Sequence, residues 1–238
     1  MIGWRAKLGV LVPSANSVLE PDMYRMAPQG VSVHFSRVVN YEDTPEQLEA
    51  MVQYVPRCCE ELSHARMDVY AFGCTGGSLM GGLGYDQKMI KIMQEKTGKP
   101  ATTTSTAVIE AFREMGIGRV CVVTPYEDWL NERQKMFFET SGVQVLAIKG
   151  LGIRDGDGIA RVSPGEIYRL AREINKPEAQ GIFMSCTNFR AAGVLEIIEK
   201  DLGKPAISSN QATLWAMLKL AGIKGMVSGF GSLFTRPG

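Results

Sequence analysis

Val69-Tyr70-Ala71-Phe72-Gly73-Cys74-Thr75-Gly76 and Gly181-Ile182-Phe183-Met184-Ser185-Cys186-Thr187-Asn188 are two versions of one local plan. Each is a short apolar run that ends in a Cys-Thr pair and then opens into small or polar residues. Apolar runs of this length fit strands buried on both faces of a parallel sheet. The two cysteines stand 112 residues apart, and so do Pro13 of Val12-Pro13 and Pro125 of Thr124-Pro125. Gly98-Lys99-Pro100-Ala101 and Gly203-Lys204-Pro205-Ala206 match at a spacing of 105. The difference falls after the cysteine, where only the first half carries Gly81-Gly82-Leu83-Gly84-Tyr85. A repeated offset with a third shared motif predicts a duplicated α/β unit.

Working outward, strands are predicted at Leu8–Val12, Val31–Phe35, Val69–Phe72, Ala101–Thr103, Val120–Val123, Val143–Ile148, Gly181–Met184 and Ala206–Ile207. Helical patterns separate them. Thr44-Pro45-Glu46-Gln47 and Ser163-Pro164-Gly165-Glu166 each offer a cap, a first-position Pro and a Gln or Glu for a capping box. The expected fold class is α/β, with two pseudo-symmetric flavodoxin-like parallel-sheet lobes, 1–116 and 117–238, and a C-terminal helix free to cross over. Ligands in such sheets bind beyond the carboxyl ends of the strands. Both Cys-Thr pairs lie there, so a pseudo-twofold axis would bring them to one cleft.

Composition narrows the partners. The 238 residues carry 26 Lys+Arg against 25 Asp+Glu, a net charge of +1 that lacks the basic bias of a nucleic-acid binder. No apolar run approaches the ~18–20 residues of a membrane span, and the N-terminal residues lack the apolar core of a signal peptide. Five cysteines, an odd number in a chain that needs no staples, point to a reduced, cytoplasmic protein. The two histidines, His34 and His64, have no metal-ligand spacing, so no metal is expected. With no phosphate loop and no GxGxxG after the first strand, no cofactor is expected either. The expected partner is a small-molecule carboxylate, with a homo-oligomer allowed.

The candidate chemistry gathers at the strand ends. Backbone N–H groups after Cys74 and Cys186 could hold an anion, and their field would favour thiolate. Cys121, within an apolar run, reads as core, and Cys58 and Cys59 as structural helix residues. Pro13-Ser14-Ala15-Asn16-Ser17 follows the first strand, where Ser14 or Asn16 could cap a helix, contact a ligand, or do both. Tyr126, at the matching place in the second half, could donate to a carboxylate or pack on a helix. Thr102–Thr106 reads as a helix start.

At these residues the chain resembles the aspartate/glutamate racemase superfamily, in the branch of maleate cis–trans isomerases and arylmalonate decarboxylases. The resemblance runs through Gly9–Asn16 with Glu20-Pro21, Gly73–Ser78, Thr103–Ala107, Thr124–Tyr126, Gly150–Ile153 and Ser185–Asn188. It implies a cofactor-independent enzyme acting beside a carboxylate. Cys74 would be the nucleophile and Cys186 the acid/base. Asn16 and Tyr126, with groups around Thr75, Gly76, Thr187 and Asn188, would bind substrate. Arylmalonate decarboxylases have Gly at the first cysteine position, so the intact pair favours an isomerase of maleate or a related unsaturated dicarboxylate. A two-cysteine racemase, a decarboxylase and a carboxylate-binding protein are the alternatives. One departure stands out: maleate isomerases would carry an Asn near Asp155-Gly156-Asp157-Gly158. Asp155 and Asp157, if they faced the cleft, would repel a dicarboxylate.

Overall fold

The computed structural model describes residues 2–224 and 227–235. Its strands are β1 (Ala6–Pro13), β2 (Val31–Val38), β3 (Val69–Phe72), β4 (Ala101–Thr103), β5 (Arg119–Val123), β6 (Gln144–Lys149), β7 (Gly181–Met184) and β8 (Ala206–Ser208). They form two four-stranded parallel sheets with the same order, β2-β1-β3-β4 and β6-β5-β7-β8. Each predicted run is a strand: β3, β4 and β7 keep the predicted bounds, and the other five have one or both ends moved by one to three residues. Every residue of β3 and β7 is buried, as strands covered on both faces require.

The helices are α1 (Leu19–Met26), α2 (Pro45–Ala50), α3 (Val55–Ser63), α4 (Thr75–Leu79), α5 (Tyr85–Thr97), α6 (Thr104–Met115), α7 (Asp128–Thr140), α8 (Gly156–Arg161), α9 (Pro164–Ile174), α10 (Leu195–Leu202) and α11 (Ser209–Leu220). The capping box at Ser163 forms with Glu166. At Thr44 it does not. Thr44 caps the Gln47 N–H, but the Gln47 side chain turns away to accept from the N–H groups of Tyr41 and Glu42. The loop before the helix needed that acceptor more than the cap residue did. Thr103 caps α6, so the threonine run is a helix start.

Two helices leave their own sheet. Phe112 of α6 stacks edge-to-face on Phe138 of α7 and Phe183 of β7, with both centroid separations 5.5 Å. In return, α11 packs on α1, α6, β3 and β4. Residues 209–218 of α11 are all buried, so the helix meets solvent only at its last two residues, Lys219 and Leu220. Most of its polar side chains are bonded across to the other lobe, although Asn210 Oδ1 has no partner. Ser209 meets Thr75, Asn210 donates to Asp22, and Thr213 donates to Thr104. The exchange locks the sheets together with their carboxyl edges facing one seam.

Candidate active site

A cavity opens on that seam. Cys74 and Cys186 reach it, one from each lobe, with Asn16, Thr75, Gly76, Tyr126, Thr187 and Asn188 around them. All of these are buried. Ser14 is the one predicted residue that does not line it. Its hydroxyl donates to the Asn40 carbonyl and accepts from the Asn40 N–H, each at 3.0 Å. Ser14 therefore holds the loop after β2, and its one donor hydrogen is taken up there.

Asn16 caps the start of α1 and also lines the cavity. Its Oδ1 accepts from the N–H groups of Val18 and Leu19 at the start of α1. Its Nδ2 donates across the seam to Thr187 Oγ1 at 3.0 Å. An amide nitrogen carries two hydrogens, so one is left for the cavity. Thr187 passes its own hydrogen to the Gly73 carbonyl at 3.1 Å. Asn188 accepts from Ser17 N–H and donates to the Gly156 carbonyl, closing the wall between lobes.

The two cysteines are matched in position but not in backbone. Cys74 is extended, with φ of −141°, and caps α4 by accepting from the Gly77 N–H at 3.3 Å. Cys186 has φ of +99° and accepts from the Asn188 N–H at 3.3 Å inside a turn. That region is costly for a residue with a Cβ. Tyr126 also lines the cavity, and its hydroxyl acts to favour the Cys186 thiolate.

The acidity expected of these thiols is reversed. Burial pushes Cys74 well above its ordinary value, further raised by the charge of Asp43 and only partly offset by the Gly77 and Gly76 N–H groups. Burial and the same carboxylate raise Cys186 to about 12. Tyr126 is also raised, first by burial and then by the neighbouring thiol and carboxylate charges. The backbone donors are present, but desolvating a thiolate outweighs them. Both thiols therefore rest protonated at neutral pH.

Asp43 itself escaped the sequence reading. The loop after β2 brings Asn40, Tyr41 and Asp43 into the cavity wall. Burial raises the Asp43 carboxyl to about 6, and Asn40 Nδ2 lies 3.5 Å from its Oδ1. The loop is fastened to the other lobe, since Asp43 N–H donates to the Arg154 carbonyl and Glu42 forms a bridge with Asp155. The available signal was topological: the segment directly follows β2, beside β1 at the same sheet edge. By contrast, Asp155 and Asp157 face solvent. Asp155 caps α8 and Asp157 pairs with Arg161, so only Gly156 and Ile159 of this segment meet the cavity. The expected repulsion from those two acids does not arise.

Among the described residues no group of three His, Cys, Asp or Glu side chains is placed to hold a metal ion. No described helix is long and apolar enough to cross a membrane.

Comparison with known proteins agrees with this geometry. The family profile of arylmalonate decarboxylase matches residues 8–234. A maleate isomerase of Pseudomonas putida is 28% identical over 242 residues, covering 96% of this chain and 97% of that one. An arylmalonate decarboxylase of Bordetella bronchiseptica is 29% identical over 230 residues, covering 95% of each. The solved structure of a maleate isomerase from Pseudomonas putida S16 with maleate superimposes with a TM-score of 0.91 at 27% identity, covering 97% of both chains.

Proposed function

The chain belongs to the arylmalonate decarboxylase family, and from that premise we propose a cofactor-independent, cysteine-dependent cis–trans isomerase of maleate or a closely related unsaturated acid. The observation that carries the reading is the pair of cysteines, Cys74 and Cys186, in one cavity between the lobes. The relatives named maleate isomerase support it. A decarboxylase of this family would place Gly at the first position.

The chemistry follows from the site. A cis-alkene between carboxylates has no acidic C–H to remove. Cys74 first gives its proton to solvent, which at neutral pH leaves only a small thiolate fraction. That thiolate adds to one alkene carbon, and the π pair moves to the other carbon and into its carboxylate. The first N–H groups of α4, which have no partner within the helix, would stabilise that charge together with Tyr126 and Asn16. Cys186 delivers a proton to the adjacent carbon, giving a saturated thioether. Rotation about the new single bond follows. Removal of the same proton and expulsion of Cys74 release the trans acid, so atoms and electrons are conserved. The unequal backbones of the two cysteines suit unequal roles better than the interchangeable pair of a racemase. Five free thiols suit a reducing cytoplasm.

Proton NMR of maleate with the enzyme in deuterated buffer tests the activity, and intact mass tests the assignment. Cys186→Ser should accumulate a succinyl adduct on Cys74, and Cys74→Ala should carry none. An adduct on Cys186 in the Cys74→Ala protein would reverse the roles. Full activity in either variant would end the two-cysteine mechanism. A protein with no turnover, whose thiols are alkylated at the same slow rate with and without dicarboxylates, would be a binding protein instead.

A further inference from the structure

The wall contributed by the loop after β2 does not suit a second carboxylate. Among the described residues no Lys, Arg or His lines the cavity, and the one charged side chain in its wall is Asp43. Burial holds the Asp43 carboxyl at about 6, so it is mostly ionised at pH 7.5. Beside it, Asn40 is buried and its Oδ1 has no hydrogen-bond partner. The amide orientation is fixed by its neighbour. Nδ2 faces Asp43 Oδ1, and turning the amide over would set two acceptors against each other. A buried acceptor without a donor is costly to leave unmade. This part of the site thus offers two acceptors and asks for N–H groups.

We propose that Asn40 and Asp43 form an N–H-accepting subsite, and that the preferred substrate is the monoamide of a cis-unsaturated dicarboxylic acid rather than the dicarboxylate. The proposal rests on the isomerase reading and names the substrate of that same site. One carboxylate of the substrate would lie against Tyr126, Asn16 and the strand-end N–H groups. The amide at the other terminus would give one hydrogen to Asp43 and one to Asn40 Oδ1. A primary amide also keeps the alkene conjugated at both ends, so thiolate addition proceeds as for the diacid. A second carboxylate there would meet like charge with no cation to offset it.

The test compares initial rates for maleamate and maleate at pH 7.5 in the wild type, Asp43→Asn and Asp43→Ala. The wild type should favour maleamate at least tenfold in kcat/KM, and both substitutions should cut that preference at least tenfold, chiefly by accelerating maleate. A wild type that prefers maleate, or a preference unmoved by either substitution, would overturn the subsite. A second arm separates this from failure of the isomerase reading. Succinamate and succinate, which cannot isomerise, are compared as protectants of Cys74 and Cys186 against iodoacetamide. If neither cis acid turns over but succinamate protects better and loses its advantage in Asp43→Asn, the subsite stands and the isomerase falls. Equal protection by the two without turnover overturns both. The wild-type ratios need no variant, so a variant that fails to fold leaves the test intact.

Discussion

Cys186 holds a backbone conformation that glycine would hold at less cost, whereas Cys74 does not. The two positions should therefore respond oppositely to the same pair of substitutions. Cys186→Gly should be more stable than Cys186→Ala by about 1 kcal/mol, because only Ala retains the strained Cβ. Cys74→Gly should be less stable than Cys74→Ala. Chemical denaturation of the four variants checks the sign. If Tyr126 donates to the developing charge, as the proposed mechanism has it, Tyr126→Phe removes a hydrogen bond worth ~1.5–3 kcal/mol, and kcat/KM should fall roughly ten- to hundredfold. It should also slow alkylation of Cys186, whose thiolate the Tyr126 hydroxyl favours. Because both thiols are pushed up, the thiolate fraction gains about tenfold per pH unit until the pKa is reached. Iodoacetamide reactivity should therefore keep climbing between pH 7 and pH 9, and a plateau below pH 8 would contradict the burial argument. The cysteines were legible because each ends an apolar run at a repeated spacing. Their acidity was not, since the sequence displays the N–H donors but not the burial that overrides them. Asp43 was hidden for a similar reason. It sits in a polar loop, where no periodicity says which side chain turns inward.

At the scale of elements, strands were the easiest to read and loops the hardest. Runs such as Val120-Cys121-Val122-Val123 have one natural environment, the middle of a covered sheet. α11 was harder. Ser209-Asn210-Gln211-Ala212-Thr213 looks half exposed by composition, yet this stretch is enclosed, with Ser209, Thr213 and the Asn210 amide nitrogen bonded to partners in the other lobe. A local pattern cannot announce a partner more than a hundred residues away. The segment after β6 shows how a glycine sets an active-site loop. A Cβ on Gly150 would lie 2.3 Å from both the Tyr126 carbonyl oxygen and Asn131 Nδ2. Those two atoms hydrogen-bond each other, and the Tyr126 carbonyl also accepts from Gly152 N–H. Gly150→Ala must push the Tyr126 loop aside. It should cost roughly 1–3 kcal/mol of stability, and unlike a remote packing defect it should lower kcat/KM as well. Thermal melting and kinetics on one preparation would show both effects. Unchanged kinetics would mean that Tyr126 tolerates the shift.

The whole molecule is held by the exchange of α6 and α11. Phe112→Ala would open a hole among aromatic rings that belong to the other lobe, at a cost of ~3–5 kcal/mol, and both lobes should melt together. Separately expressed fragments 1–116 and 117–238 should each lack a cooperative thermal transition. Mixed, they should regain one, together with reactivity at both Cys74 and Cys186. A fragment that melts cooperatively alone would show that its sheet closes a core without the borrowed helix. The exchange also bears on descent. A half-length ancestor built this way could not have covered its own sheet, so it had to work as a pair from the beginning. Its cleft would have been lined by the same cysteine twice, equivalent by symmetry. Only after the two copies were joined in one gene could one thiol become a helix cap and the other move into a strained turn. A symmetric pair would hold both thiols in one conformation, so the extended backbone of Cys74 and the +99° φ of Cys186 are a difference that only a joined chain can carry.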